Sequence, residues 1–182
     1  MPSYINLKDE YLKLFASCEP SISVYKPVKQ IMTNQSRYES VGLPLGIPWY
    51  FIGVIHMMES SCNFKTHLHN GDSLRTRTVH VPTGRPATGM PPFTWEDSAK
   101  DALVYEGFAG SQLWSLSMIL YRFEKYNGWG YRNAKINIPS PYLWSMSNHY
   151  TSGKFLEEKD ANGRYRGVFH PEAVSKQCGA VS

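Results

Sequence analysis

The most apolar stretch of the chain runs from Trp49 to Met58 and is interrupted only by Gly53 and His56. Pro48 is predicted as the first helical residue, since the missing N–H of a proline has no partner at that position anyway. A helix that is apolar on nearly every face is a buried helix, and this one is too short to span a bilayer. The pattern therefore predicts a helix in the protein core.

Glu59 closes this apolar run, four residues after Ile55 and seven after Ile52. Helical spacing places its carboxylate on the same stripe as these two side chains. A carboxylate on a buried stripe loses hydration, so its pKa is expected to rise, as a general acid working near neutral pH requires. The alternative is that Glu59 marks the point where the helix reaches solvent, or that it pairs with an arginine.

Helical periodicity predicts further helices over residues 7–17, 24–40, 94–107, 110–126 and 171–178. Thr94 followed by Asp97 is a variant of the capping box, and Asn127-Gly128 is a stop signal. After the Glu59 helix the period changes: Asn70-Gly71-Asp72 is a turn signal, and residues 74–81 alternate. This favours a small β-hairpin, so the expected fold is α+β and mostly α-helical. Residues 129–154 are expected to form an aromatic-rich loop.

A length of 182 residues, without repeats or a linker, predicts a single domain over 1–182. Aromatic residues make up 14%, which suits a cleft for sugars or peptides, and a net charge of +4 favours anionic partners. No dense run of Lys and Arg indicates a nucleic-acid partner. The N-terminus lacks a signal-peptide pattern, so synthesis in the cytoplasm, without stable membrane insertion, is expected.

Three cysteines, Cys18, Cys62 and Cys178, match no zinc spacing and no disulfide framework. Reduced, mostly buried thiols are expected, although one disulfide stays open. Cys62 as a nucleophile would need a paired histidine that the sequence does not locate.

The histidines of the predicted hairpin permit a second chemistry. His67, His69 and His80, together with Asp72, form a weak metal-ligand pattern. The simpler interpretation is that they bond to the backbone or line a polar cleft, so no metal and no cofactor are predicted.

A carboxylate chemistry brings more of these features together. Cleavage of a glycosidic bond needs a protonated acid at the leaving oxygen and a carboxylate or a positioned water across the sugar. Glu59 is the candidate acid, and Asp72 is the nearest candidate for the second role. Thr78 and His80 are polar groups facing the same space. The competing role for Asp72 is to make the Asn-Gly-Asp turn.

Two short motifs carry a family resemblance: Glu59-Ser60 at the end of an apolar helix, followed by Phe64, and Tyr126-Asn127-Gly128 at the end of a later helix. They resemble signatures of the lysozyme-like superfamily, notably goose-type lysozymes and soluble lytic transglycosylases. The longer strings THLHNGDSL, RTVHVPTGRP, YNGWGYR and SPYLWSMSNHYTSGK are similar to a phage and bacterial group of endolysins within it.

The resemblance implies a lysozyme-like fold with Glu59 as the catalytic acid. Tyr126 and Asn127 would border the glycan cleft, and Tyr142 and Tyr150 would stack on sugar or position Glu59. The Gly-Leu-Met-Gln element of lytic transglycosylases is absent, and HLHNGD stands in its place.

The sequence therefore predicts a monomeric muramidase that cuts the β-1,4 bond between N-acetylmuramic acid and N-acetylglucosamine in bacterial peptidoglycan. It would act on the cell wall, in the periplasm, after release by a separate membrane-permeabilising protein. Lytic transglycosylation of the same bond and non-catalytic binding of wall glycan are the alternatives.

Overall fold

A computed structural model describes residues 2–21, 24–110 and 113–182. The helices are Tyr4–Ala16 (α1), Tyr25–Thr33 (α2), Gln35–Gly42 (α3), Trp49–Ser60 (α4), Trp95–Tyr105 (α5), Leu116–Asn127 (α6) and Pro141–Trp144 (α7). The segments Leu43–Leu45 and Gly130–Arg132 are 3₁₀ turns. The strands Lys154–Lys159 (β1) and Tyr165–His170 (β2) form one antiparallel sheet. The predicted α+β class is confirmed.

The chain divides into two compact units. Tyr25–Ile119 forms the central unit, and Met1–Val24 together with Leu120–Ser182 forms the terminal unit. The division falls within α6. The single domain predicted over residues 1–182 stays a prediction.

Helix α4 is the core of the central unit, as its apolar pattern predicts. Phe51, Ile52 and Ile55 are fully buried, and α4 packs against α2 and α3. Gly53 permits this packing, because a Cβ there would lie 2.6 Å from Ile31 Cγ2 and 3.2 Å from Tyr38 Cε2. Pro48 is the N-cap, one position before the helix rather than its first residue.

The other helix predictions for the central unit hold in outline. Thr94 caps α5, and its hydroxyl oxygen accepts a hydrogen bond from the Asp97 N–H at 3.1 Å. The helix predicted over 24–40 is interrupted at Asn34, whose side chain donates to the Gln30 carbonyl at 2.9 Å. Such side-chain bonds to the backbone compete with helix propagation, and two helices result.

The terminal unit contains a buried ion pair and the sheet. Glu124 accepts a hydrogen bond from the Tyr11 hydroxyl at 2.6 Å and pairs with Arg132 at 2.9 Å. The hairpin packs on Tyr131, whose ring lies 5.1 Å from that of Phe155. Helix α6 ends at Asn127, as predicted, and Gly128 follows with a φ of +89°. The helix begins at Leu116 and not at the predicted residue 110, and residues 111 and 112 of that prediction lie outside the described ranges.

The predicted position of the hairpin is wrong. Residues 74–81 form no strand, and the one pairing nearby is an isolated bridge between Thr66 and Ser73. The Asp72 carboxylate instead accepts the N–H groups of Val79 and His80, at 2.8 and 3.0 Å. The Asp72 side chain therefore binds backbone N–H groups that would donate to a neighbouring strand if this segment were part of a sheet.

The last predicted helix, over residues 171–178, is also absent from the structure. This segment bonds to the loop before β1: the Gly153 N–H donates to the Ala173 carbonyl at 2.8 Å, and the Ser175 N–H donates to the Tyr150 hydroxyl at 3.1 Å. The predicted loop over 129–154 contains the short helix α7 and the start of β1.

No single helix in the described ranges is long and apolar enough to cross a membrane. Gln35–Leu45 and Trp49–Ser60 pass that test only as a pair, and a bend of 117° separates them.

Candidate functional site

Glu59 lies at the C-terminal end of α4, one residue before the last. Ile52 and Ile55, on the same stripe, are fully buried, whereas Glu59 is partly exposed. The helix stops immediately afterwards, because Ser61 adopts a left-handed conformation and its N–H returns to the Met57 carbonyl at 3.0 Å. Glu59 thus lies where a core helix meets an irregular loop.

A rigid aromatic cluster fixes this end of α4. The fully buried His56 lies 3.1 Å from the Tyr38 hydroxyl through Nδ1, and its ring contacts those of Phe64 and Trp95, with centroids 4.6 and 4.5 Å apart. Burial lowers the pKa of His56 to about 4, so this imidazole is neutral at pH 7. The cluster is apolar packing with a neutral histidine.

Cys62 is a poor nucleophile in this setting. The thiol is buried, and burial raises its pKa although a hydrogen bond with Tyr38 opposes that effect. Reactive cysteines depend on the thiolate form. All three cysteines are free thiols, but only Cys62 is buried, whereas the sequence predicted that most of them would be.

Asp72 organises the loop that follows α4. Its Oδ2 accepts from the Asn70 side-chain amide at 3.1 Å as well as from the two backbone N–H groups, and its Oδ1 lies 2.7 Å from His80 Nδ1. Burial alone would raise the pKa of Asp72, but the hydrogen bonds from His80 and Val79 outweigh it and lower the pKa to about 2. Such a carboxylate is a weak base and an anchored one, so the geometry favours the turn-making role.

Thr78 also holds the loop together. Its buried hydroxyl donates to the Pro82 carbonyl and accepts from the Arg85 N–H at 2.8 Å. Both partners lie within the same loop, so the Thr78 side chain joins two segments of that loop. His80, in contrast, exposes 79% of its side chain.

A charged cluster centred on Asp101 of α5 was not predicted from the sequence. Arg85 binds this carboxylate through two nitrogens, at 2.9 and 2.8 Å. His69 Nε2 lies 2.8 Å from Asp101 Oδ2, and the Ala87 N–H donates to Oδ1 at 3.2 Å. Burial lowers the pKa of His69 more than Asp101 raises it. Arg85 lies in a Pro/Gly-rich loop, where no periodicity relates it to α5.

The three histidines of the metal hypothesis have separate partners. His67 lies 2.7 Å from the Ser98 hydroxyl and 2.8 Å from the Thr76 carbonyl, His69 bonds to Asp101, and His80 bonds to Asp72. Among the residues that the structure describes, no group of three or more His, Cys, Asp or Glu side chains could hold a metal ion.

The four aromatic-loop and helix-end candidates belong to the terminal unit: Tyr126, Asn127, Tyr142 and Tyr150. Tyr142 is buried and Asn127 is exposed. The Tyr150 hydroxyl lies 3.1 Å from the Gly153 carbonyl and accepts the Ser175 N–H, so it joins two segments of its own unit. Its observed contacts are structural.

The α4–α5 loop, residues 61–94, contributes to the walls of two open clefts among the described residues. The first, of about 550 Å³, runs along α5 and includes Asp97, Lys100 and Asp101 in its walls. The second, of about 650 Å³, is lined by Phe64, Lys65, Thr66, Gly71, Ser73, Leu74, Arg75 and Pro92; we call it the Lys65–Arg75 cleft. A Cβ on Gly71 would lie 3.5 Å from the Glu59 carbonyl oxygen, so this cleft adjoins the end of α4.

The chain matches no family model, no curated protein and no solved structure.

Proposed function

We propose that the protein cleaves the β-1,4 bond between N-acetylmuramic acid and N-acetylglucosamine in bacterial peptidoglycan, with Glu59 as the general acid. The observation that carries the proposal is the position of Glu59 in the chain. It is a partly exposed residue in the last turn of a helix whose middle is buried, and the backbone of this turn adjoins an open cleft of about 650 Å³ at Gly71.

The end of α4 suits a proton donor for two physical reasons. A carboxylate at a helix C-terminus faces the negative end of the helix dipole, which disfavours its charged form. The aromatic cluster behind it fixes the backbone, and a fixed donor loses little entropy when it meets the leaving oxygen. The acid acts by protonating that oxygen as the bond to the anomeric carbon breaks.

The anchoring of Asp72 changes the preferred second step. Both of its oxygens are hydrogen-bonded within the loop, so it is badly suited to activate water. This hydrogen bonding argues against hydrolysis with Asp72 as the base. It favours a reaction that needs only one carboxyl group of the protein. In such a route a hydroxyl of the muramic acid itself attacks the anomeric carbon, which is lytic transglycosylation.

This proposal rests on the central unit alone. The glycan contacts predicted at Tyr126, Asn127, Tyr142 and Tyr150, and the lysozyme-like fold, stay predictions. The bacterial cell wall is the proposed site of action.

Replacing Glu59 tests the proposal. Glu59→Gln should lower the rate of peptidoglycan clearing at least about 100-fold, because general acid catalysis contributes about that much or more. Glu106→Gln is the matched control, since Glu106 is a partly exposed glutamate at the C-cap of α5; its rate should be unchanged. Thermal unfolding of both variants separates activity from folding.

Binding of the variant to cell walls separates an enzyme from a glycan-binding protein. Loss of clearing with normal wall binding in Glu59→Gln supports catalysis. If Glu59→Gln clears peptidoglycan as fast as the parent, the proposed role of Glu59 is wrong.

A further inference from the structure

The two clefts beside the α4–α5 loop differ in charge. Asp97 and Asp101 line the cleft along α5, with Lys100 as its cation. The Lys65–Arg75 cleft has two cations and no acidic residue in its described lining. Anionic groups are therefore attracted to the second cleft and not to the first.

The cations of the Lys65–Arg75 cleft are available to a ligand. Both side chains are exposed, and neither makes an ion pair with another residue in the described part of the chain. The Thr66–Ser73 bridge and the hydrogen bond from the Leu74 N–H to the Lys65 carbonyl, 3.3 Å, hold the two segments that carry them side by side. The charges are thus presented together without an internal partner.

The apolar part of the same cleft is rigid. The Arg37 guanidinium lies 3.7 Å above the Phe64 ring, and Trp95 packs against its edge at 4.8 Å between centroids. Leu74 and Pro92 complete the apolar lining. A fixed apolar wall next to two free cations suits a ligand with an aliphatic body and carboxylates.

We infer that the Lys65–Arg75 cleft binds an acidic peptide, and that in the substrate this peptide is the carboxylate-bearing stem attached to the muramic acid. Only the second part of the inference, that the peptide is the stem of peptidoglycan, rests on the proposed function. Because the cleft adjoins the end of α4 at Gly71, a stem peptide bound there would hold its sugar near Glu59. Lys65 and Arg75 would then determine specificity for peptide-bearing glycan.

Direct binding tests the cleft without catalysis. The probe is a synthetic stem peptide with an acetylated N-terminus, acetyl-Ala–γ-Glu–Lys–Ala–Ala, which carries two carboxylates and one ammonium group. It is titrated calorimetrically against the full chain, and the same peptide with both carboxyl groups amidated is the comparison without carboxylates. The double variant Lys65→Gln/Arg75→Gln should weaken binding of the acidic peptide about tenfold, the sum of two exposed ion pairs. Lys26→Gln/Lys29→Gln on α2 removes the same charge from exposed positions outside the cleft lining and should leave binding unchanged.

A kinetic comparison tests the consequence for the substrate. Peptidoglycan freed of phosphate polymers is compared with the same glycan after an amidase has removed its stem peptides. The cleft variant should raise KM about tenfold on the peptide-bearing glycan, keep kcat, and leave the rate on bare glycan unchanged.

The outcomes for the two proposals are distinct. The inference is overturned if the wild-type chain does not bind the acidic peptide, if it binds the amidated peptide equally well, or if the cleft variant binds as the wild type does. Peptide binding that depends on Lys65 and Arg75 without any glycan cleavage supports the cleft and contradicts the proposed function.

Discussion

In the C-terminal hairpin the backbone pairs with itself, whereas in the α4–α5 loop side chains bind much of the backbone. The strands β1 and β2 pair without interruption from Lys154 with His170 to Lys159 with Tyr165. The loop has one isolated bridge, and the carboxylates of Asp72 and Asp101 accept three of its backbone N–H groups.

The difference shows what each region depends on. A ladder distributes its stability over many equivalent bonds, so one side chain contributes little. In the loop, Asp72 and Asp101 each accept with both carboxylate oxygens, and asparagine offers only one such oxygen, so its introduction at either site breaks bonds. We therefore expect carboxylate substitutions to be costly in the loop and mild in the hairpin.

The largest effect is expected at Asp101. Asp101→Asn leaves Arg85 without its charged partner and His69 without a full acceptor, in a site where the aspartate side chain is only 14% exposed. We expect a loss of about 2–4 kcal/mol in the free energy of unfolding, measured with urea at pH 7. The control is Asp97→Asn, an exposed carboxylate in the first turn of the same helix, expected to cost less than about 1 kcal/mol. Equal losses would mean that the Asp101 cluster does not anchor the loop.

Asp72 is expected to rank second. Asp72→Asn should reduce the free energy of unfolding by about 2 kcal/mol at pH 7, because the lowered pKa of Asp72 measures how strongly the fold favours its charged form. Asp160 is the matched residue of the hairpin: one oxygen, Oδ1, accepts from both the Asn162 and the Arg164 N–H. Asparagine keeps that oxygen, so Asp160→Asn should cost less than about 0.5 kcal/mol.

The pH dependence of the Asp72 effect has a definite sign. A carboxyl group whose pKa is lowered in the folded state stabilises the fold above its unfolded pKa and loses that contribution as the pH falls through the folded pKa. The difference between wild type and Asp72→Asn should therefore shrink as the pH falls from about 5 toward 2. A difference that does not change with pH would contradict the assignment.

The smallest effect is expected in the hairpin, at His170. Its ring nitrogens lie 2.7 Å from Glu158 and 3.1 Å from Glu172, and these hydrogen bonds raise the pKa of His170. Its stabilising contribution is present below the unfolded pKa and disappears as the pH rises through the folded pKa. A titration of His170 followed by NMR should show a raised pKa that Glu158→Gln lowers; an ordinary value in the wild type would show that the pairs do not form.

The sequence predicted those elements whose signals are local. The apolar run defines α4, Thr94 and Asp97 define the start of α5, and Asn127-Gly128 defines the end of α6. Each depends on a few neighbouring residues. The similarly local signals of residues 171–178 did not produce a helix, because that segment bonds to the loop before β1 instead.

The position of the sheet could not be predicted from alternation alone. Residues 74–81 alternate, but Val79 and Val81 are 67% and 86% exposed because no partner strand covers them. The real hairpin has a signal that was missed: Asn162-Gly163, in the loop between β1 and β2. A strand forms only where a second strand pairs with it, and alternation within one segment does not reveal whether the fold supplies that second strand.

The candidate site could be predicted only in part, because only some of its residues have a local sequence signal. Glu59 follows from the end of an apolar helix. Two other features depend on the path of an irregular loop, which no periodicity in the sequence predicts. They are the backbone hydrogen bonds to Asp72 and the Arg85–Asp101 pair.

Mass spectrometry of peptidoglycan digested by the wild-type chain and by Glu59→Gln tests the central claim most directly. We predict that the wild type releases muropeptides cut between N-acetylmuramic acid and N-acetylglucosamine, mainly with anhydro ends, and that Glu59→Gln releases none. Cut stem peptides on intact glycan, or the same products from Glu59→Gln, would contradict the claim.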